Sequence, residues 1–186
     1  MRAIIPLAEG VEEMECVIIL DVLRRAKIDA VAVAMADSLE TVAAHGVKLV
    51  ADTTWSAIRP DTFDMIVIPG GMGGTRRLQQ DERLLQALRD FVQQRKPVAA
   101  ICAGPLVLQS AGILAKRTVT CHPGVAAELT VPRRVDDRVV EDDGILTSQG
   151  PGTTFEFALA IIRRFVDSET AGQVAEELML PASIAS

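Results

Sequence analysis

The sequence predicts an α/β protein: a doubly wound, mostly parallel sheet with helices on both faces, formed by residues 1–186 as one domain. Short apolar runs typical of buried strands alternate with helical patterns through most of the chain. No linker, repeat or low-complexity segment divides it. The turns are rich in glycine and proline, which is typical of strand-to-helix connections.

The elements follow from local patterns. Helix 11–26 has acids in its first turn and Arg24-Arg25 in its last, which suits the helix dipole. Helix 82–95 is amphipathic, and Asp143-Gly144 predicts a hairpin turn. The predicted strands are 3–8, 30–36, 47–52, 64–68, 98–101, 118–122, 138–142 and 145–148. The other predicted helices are one from Pro105 to about Gly112, 154–165 and 169–180.

Pro6 conflicts with this assignment because it lies in a strand expected at the centre of the sheet. A proline there lacks the N–H that the ladder needs. A β-bulge at Pro6 would reconcile the two.

Residues 97–115 carry no charge and are long enough to cross a bilayer. Pro97 begins the run, Gly104-Pro105 interrupts it, and Gln109-Ser110 would face lipid. A strand at 98–101, a tight turn at 102–104 and a helix from Pro105 fit better, since proline is favoured in the first turn of a helix.

Composition excludes several classes of protein. Charged residues are 24% and hydrophobic residues 49%, which is typical of a globular chain. Aromatic residues are 3%, tyrosine is absent and the net charge is −6, so we expect no nucleic-acid partner. The three cysteines do not suggest a disulfide framework, and no signal peptide pattern is present. We expect a cytoplasmic protein with no membrane partner.

Four predicted strands end in turns that combine small residues with reactive ones. These turns are 8–10, 69–71, 102–104 and 122–124. In open α/β sheets, ligands bind beyond the carboxyl ends of the strands. Gly70-Gly71 would let backbone N–H groups approach a ligand, although a plain tight turn is the simpler interpretation. The phosphate-binding patterns GxxxxGK[ST] and GxGxxG are both absent from the sequence.

Cys102 lies at the predicted strand-to-helix corner, as the nucleophile does in a nucleophile elbow. The positive end of the following helix would favour the thiolate. A small buried hydrophobic residue is the alternative role for a free cysteine.

Glu15 can lean from the first helix toward the same edge, while Glu12 and Glu13 are expected to be solvated. An ionised Glu15 would raise the pKa of the cysteine, whereas a protonated one can donate a hydrogen bond to the thiolate. His122 is a third candidate, or a hydrogen-bonded structural histidine. Cys102, Cys121, His122 and Glu15 lack a metal-ligand spacing, so no metal site is predicted.

These residues occur in blocks that together resemble the ThiJ/PfpI superfamily, specifically its Parkinsonism-associated branch (DJ-one, with the bacterial YajL-type proteins). The blocks are 9-EGVEEMECV-17, 67-VIPGG-71, 99-AAICAGP-105, 119-VTCHP-123 and 147-TSQGPGTTFEFALAI-161. They cover most of the chain in the family's order.

The resemblance implies a flavodoxin-like fold and a homodimer with the first helix at or near the interface. It implies a reactive Cys102, Glu15 as its protonated partner, His122 close by, and Gly71 and Ala103 as oxyanion donors beside Gly70. The family's reported activities are cofactor-free conversion of glyoxal and methylglyoxal, deglycation of early carbonyl adducts, stress sensing and chaperone action.

This chain departs from the family pattern in two ways. His45 stands where the family usually has arginine, and Ala103 follows Cys102 where the peptidase-like branch has histidine, which argues against a protease. Cys16 and Cys121 are further departures from the family pattern; they are either resolving thiols near Cys102 or core residues.

The leading hypothesis is a glyoxalase or deglycase that forms a hemithioacetal at Cys102, with no cofactor. The rival is an oxidative-stress sensor or redox-regulated chaperone in which Cys102 becomes a sulfinate. A third alternative is a structural domain in which Cys102 is buried.

Overall fold

A computed structural model describes residues 1–185 and confirms the α/β architecture, with a mostly parallel sheet between two layers of helices. The strands are β1 Arg2–Leu7, β2 Asp29–Ala34, β3 Glu40–Val42, β4 Lys48–Val50, β5 Thr53–Thr54, β6 Met65–Ile68, β7 Val98–Ile101, β8 Thr118–Val119, β9 Arg133–Arg134, β10 Val139–Asp142 and β11 Ile145–Ser148. The helices are α1 Glu13–Arg25, α2 Met72–Leu78, α3 Glu82–Gln93, α4 Pro105–Ser110, α5 Thr154–Phe165, α6 Ser168–Glu177 and α7 Ala182–Ala185.

The central sheet has seven strands in the order β10-β11-β7-β6-β1-β2-β5. All neighbours are parallel except β10 and β11, which form the predicted hairpin. Its turn residues, Asp143 and Gly144, both have positive φ, as a two-residue hairpin turn of type I′ requires. From β1 the chain adds β2 and β5 on one side, and it then crosses to add β6 on the other side of β1. The order of strand addition therefore reverses between β1 and β6, which is the topological switch point of the sheet.

Alternate residues of the buried strands face opposite layers of helices. Ile5, Val67 and Ile101 belong to the core under α1, α5 and α6. Ile4, Ile68 and Ala100 belong to the other core, under α3 and α4. Because both faces are covered, β6 and β7 are apolar at every position and β1 is apolar after Arg2, which is why their sequences lack alternation.

Pro6 lies in the third strand from the β5 edge, yet the register of β1 with β2 is continuous from Arg2 to Leu7. The expected bulge is therefore absent there. The Leu7 carbonyl faces the β2 side, since it accepts a bond from the N–H of Met35, so Pro6 faces β6. The β6 register ends at Ile4, so Pro6 lies just beyond the point where this ladder stops.

The structure corrects two predicted strands. Segment 47–52 divides between β4, which forms a separate hairpin with β3, and the approach to the edge strand β5. Segment 118–122 is strand only over β8, which pairs with β9 outside the central sheet, so His122 does not end a central strand.

Helix α2 was not predicted, because Gly73 and Gly74 weaken the helical pattern. Both glycines pack closely on the preceding turn: a Cβ on Gly73 would lie 3.1 Å from Gly10 Cα, and one on Gly74 would lie 3.0 Å from Val11 Cα. Helix α7 was also not predicted.

The uncharged run divides into β7 and α4, as expected. Within residues 1–185, none of the helices has the length and apolar character to span a bilayer.

Candidate active site

Cys102 occupies the sharp turn between β7 and α4. Its φ is 64°, in the left-handed region that a residue with a Cβ seldom adopts. Two backbone bonds hold it there: Cys102 N–H donates to Ser148 O at 3.0 Å, and His122 N–H donates to Cys102 O at 2.9 Å. The side chain is partly exposed, whereas Ile101 and Ala103 on either side are buried. This is the conformation expected of a nucleophile elbow.

Glu15 projects from the first turn of α1 and is fully buried. Its Oε2 accepts a hydrogen bond from the Gly70 N–H at 2.6 Å. Burial raises the pKa of Glu15 to about 7, while the Gly70 N–H and the Cys102 thiol lower it and the charge of Glu12 raises it. Glu15 therefore changes its protonation state near neutral pH.

Gly70 is where the acid and the sulfur come together. A Cβ at position 70 would lie 2.5 Å from Cys102 Cβ, 2.7 Å from Glu15 Oε2 and 2.9 Å from Cys102 Sγ. Since real Cβ atoms do not approach other atoms so closely, only glycine leaves room for both groups. The sequence-predicted residues Glu15, Gly70 and Cys102 are therefore brought together.

Gly71 adopts φ 87° and precedes α2. A Cβ there would lie 2.4 Å from Glu12 N, so this turn also requires glycine. The backbone N–H groups of Gly71 and Ala103 are directed at the Cys102 sulfur, where both lower its pKa. They are the two donors that the family resemblance implied for an oxyanion.

The Cys102 thiol does not have the depressed pKa that the sequence suggested. Burial, then the charge of Glu15 and the hydrogen bond with it, raise its pKa to about 12, against the effect of the Gly71 and Ala103 N–H groups. Helix α4 has only six residues, which limits its dipole. The prediction of a thiolate at rest is therefore not supported: the raised pKa of Cys102 favours the protonated thiol, with the Glu15 carboxyl group beside it.

His122 is joined to the elbow by its backbone, but its side chain is exposed. Its Nδ1 accepts the Gly124 N–H at 3.0 Å, so the neutral ring carries its proton on Nε2. The ring packs on Gly150, where a Cβ would lie 3.2 Å from His122 Cδ2.

Cys16 and Cys121 are core residues. Both are fully buried, in the cores on opposite faces of the sheet. Burial raises the pKa of both thiols, and all three cysteines are free. Cys102 is therefore the cysteine of the three that solvent can reach.

Glu12 and Glu13 are not solvated, contrary to expectation: they are 7% and 8% exposed. Glu12 Oε2 accepts the Glu15 N–H at 2.6 Å. Glu13 accepts the His45 N–H at 3.0 Å and lies 3.2 Å from His45 Nδ1. Among the described residues, Glu12, Glu13 and His45 form the group of possible metal ligands whose ligand atoms lie within 4.8 Å of one another. Cys102 belongs to no such group in that part of the chain.

Fold and site together define a flavodoxin-like α/β protein with a cysteine at a nucleophile elbow and a buried acid beside it. A family model described as "DJ-1/PfpI family" matches residues 1–164. The chain therefore belongs to the DJ-1/PfpI family, and its relatives place it in the DJ-1 branch.

Three relatives illustrate the match. Protein DJ-1 homolog B of Arabidopsis thaliana is 40% identical over 180 residues, which is 96% of this chain but 41% of that protein. The chain thus spans less than half of that relative. The glutathione-independent glyoxalase DJR-1.2 of Caenorhabditis elegans is 37% identical over 92% of each chain. The crystal structure of Drosophila melanogaster DJ-1beta superposes with a TM-score of 0.93 at 34% identity, covering 97% of this chain and 98% of that one.

Proposed function

We propose that residues 1–186 form one catalytic domain, a cysteine-dependent glyoxalase that needs no cofactor. Its substrates would be 2-oxoaldehydes such as methylglyoxal and glyoxal, or their early adducts on proteins. The convergence of Glu15 Oε2 and Cys102 Sγ at Gly70 carries the proposal. The glyoxalase name of the C. elegans relative supports it.

The first step is attack of sulfur on the aldehyde carbon. At neutral pH the raised pKa of Cys102 keeps the sulfur protonated, while Glu15, with a pKa of about 7, is partly ionised. The Glu15 carboxylate therefore takes the thiol proton as the C–S bond forms. The aldehyde oxygen becomes the hemithioacetal oxyanion and accepts the N–H groups of Gly71 and Ala103.

The second step moves hydrogen between adjacent carbons. The hemithioacetal carbon loses a proton and the neighbouring carbonyl carbon gains one, while the oxygen on that neighbouring carbon takes the thiol proton held by Glu15, which gives the thioester of a 2-hydroxy acid. One carbon is oxidised and the next reduced, so the electrons balance within the substrate. Water then hydrolyses the thioester, releasing lactate from methylglyoxal or glycolate from glyoxal and restoring the thiol.

Glu15 and His122 are the proposed proton carriers for the second step. Glu15 already holds the thiol proton, and its pKa near 7 suits both uptake and release at neutral pH. His122 has Nε2 free of the Gly124 bond, and its backbone lies against the elbow. Deglycation would use the same first step on the carbonyl of an early adduct. Proteolysis is not proposed, because Ala103 follows the nucleophile.

The test is lactate formation from methylglyoxal by purified protein without added thiol. Cys102→Ser should abolish it, because the alcohol is a far weaker nucleophile. Cys16→Ala and Cys121→Ala are matched controls, since each removes a buried thiol outside the elbow, and both should retain turnover. Absence of turnover in the wild-type protein would refute the proposal.

A redox sensor is the second candidate, favoured by one observation. Cys102 is the partly exposed cysteine, while Cys16 and Cys121 are fully buried, so peroxide should react at Cys102. Intact mass after mild peroxide treatment would show a gain of two oxygen atoms, absent in Cys102→Ser. The sensor role requires that this oxidation also change binding of a partner, as in a redox-regulated chaperone.

We also propose a cytoplasmic homodimer. Met14 and Val17 are 56% and 51% exposed on one face of α1, which is unusual for apolar residues of a helix. The β3–β4 hairpin adds exposed Val42, Val47 and Val50. Its backbone is tied to the start of α1, because Gly10 N–H donates to Val42 O and Ala44 N–H donates to Val11 O.

A further inference from the structure

Glu12 joins the two parts of the site that must act together. Its backbone N–H donates to Gly70 O at 3.0 Å. Its side chain is the N-cap of α1, with Oε2 accepting the Glu15 N–H at 2.6 Å. Its N atom and Gly10 O both lie 2.4 Å from the position that a Cβ on Gly71 would occupy. One residue thus contacts the acid, the glycine that the acid binds and the glycine that donates to the sulfur.

We propose that Glu12 is a positioning residue for the cysteine chemistry, holding Glu15 and the Gly70-Gly71 turn in one fixed arrangement. This role rests on the proposed function, because its effect on turnover can be measured only if the protein is a glyoxalase. Glu12 has no role in the chemical steps themselves.

The cap has consequences for Glu15 beyond helix stability. Without the Glu12 carboxylate, the Glu15 N–H would be left unpaired in a buried first turn. Glu15 Oε2 must stay 2.6 Å from the Gly70 N–H while facing the sulfur. A small shift of this turn would break that hydrogen bond and move the carboxyl group away from the Cys102 sulfur. Misplacement of a catalytic group by about 1 Å can reduce turnover about 100-fold.

Glu12 also acts on Glu15 through its charge. The ionisable groups that act on Glu15 are Glu12 at the start of the same helix and Cys102 from the elbow, while the β6 turn supplies the uncharged Gly70 N–H. A neighbouring negative charge disfavours ionisation, so removing the Glu12 charge lowers the pKa of Glu15. The substitution Glu12→Gln separates the positioning effect of Glu12 from the effect of its charge, because glutamine keeps an oxygen that can cap the helix but carries no charge.

The experiment compares Glu12→Gln with Glu12→Ala by two measurements. The first is the pH dependence of Cys102 alkylation by iodoacetamide, which needs no substrate turnover and should rise as Glu15 ionises and can accept the thiol proton. The second is the pH profile of kcat and KM for methylglyoxal. Glu12→Gln should keep the maximal kcat within about threefold and move the acid midpoint of both profiles down by about half a pH unit. Glu12→Ala should lower kcat about 10- to 100-fold with a smaller change in KM.

The matched control is the N-cap of α6. Asp167 accepts the Thr170 N–H at 2.6 Å, the same spacing and distance as in α1, on a helix away from the elbow. Asp167→Ala should lose comparable cap stability and leave both profiles unchanged.

Wild-type alkylation and turnover profiles in both Glu12 variants would overturn the positioning role, as would a kcat loss in Asp167→Ala equal to that in Glu12→Ala. If Glu12→Ala fails to fold, the midpoint in Glu12→Gln decides. If wild-type protein lacks turnover, the proposed function fails, and the alkylation midpoint still decides the role of Glu12.

Discussion

At the scale of the residue, Glu15 and Cys102 form one titrating unit. Each contributes to the pKa of the other, so the protons on the acid and the sulfur are linked. A buried carboxyl with a pKa of about 7 can be either acid or base at neutral pH. This property suits the proposed reaction, which needs a base for the attack and an acid afterwards.

We expect Glu15→Gln to lower turnover of methylglyoxal by about 100- to 10,000-fold, because an amide cannot accept the thiol proton. Wild-type turnover should rise with pH through about 7, as Glu15 becomes the base. The measurement is kcat/KM against pH for both proteins. A wild-type profile that is flat between pH 5.5 and 8.5, in roughly the range where a group of this pKa titrates, would remove Glu15 from the role of base.

The same substitution should change how stability depends on pH. The folded-state pKa of Glu15 is raised from 4.5 to about 7, so its contribution to stability is fully present below 4.5 and is lost as pH rises through 7. Glutamine stays neutral throughout. The free energy of unfolding of Glu15→Gln relative to wild type should therefore increase by up to about 3 kcal/mol from pH 4 to pH 8. Urea unfolding at the two pH values measures it; an equal difference at both would contradict the raised pKa.

Gly70→Ala tests the space between the acid and the sulfur. The new Cβ would overlap Cys102 and Glu15, so one of them must move. We expect a loss of stability of about 1–3 kcal/mol and loss of turnover in the folded fraction. Gly172→Ala in α6 is the control, because a Cβ there has no neighbour within 4 Å. It should raise stability by up to about 1 kcal/mol. Normal alkylation and turnover in Gly70→Ala would show that the close approach is unnecessary.

At the scale of the element, the sequence patterns located the long features well. Fully apolar runs and capped helices predicted β1, β6, β7, α1, α3 and α5, and parallel topology then brings the ends of β6 and β7 to one edge. Gly70 and Cys102 were therefore predictable as neighbours. Their contact with Glu15 required only that α1 start at the same edge.

Other features depended on tertiary contacts that no local pattern carries. Helix α2 contains Gly73 and Gly74, whose value lies in close packing on Gly10 and Val11. In the sequence, Glu12 and Glu13 resemble ordinary solvated acids at a helix start. In the structure both are buried: Glu12 caps the helix, and Glu13 contacts His45, which is far away in the sequence. The raised pKa of Cys102 follows from burial, which a sequence motif does not specify.

At the scale of the whole molecule, both faces of the sheet are covered by the chain's own helices, so the core is complete within the chain. The outer face of α1 differs, because Met14 and Val17 remain exposed near the start of the helix that carries Glu15. A second copy on this face would bury both side chains. The proposed homodimer would thereby restrain the element that positions the acid.

Val17→Glu tests this interface. A carboxylate on a face that the dimer buries would lose its hydration without a partner, so we expect dimer dissociation to become at least about 100-fold more favourable. Met179→Glu is the control, since Met179 is 89% exposed and follows α6, whose last residue, Glu177, lies 3.6 Å from Arg25 at the opposite end of α1 from Met14. Sedimentation velocity across a concentration series should show a dimer for wild type and for the control, and a monomer for Val17→Glu. A Val17→Glu protein that sediments as the wild-type dimer would place the interface elsewhere, and a monomeric wild type would refute the dimer itself.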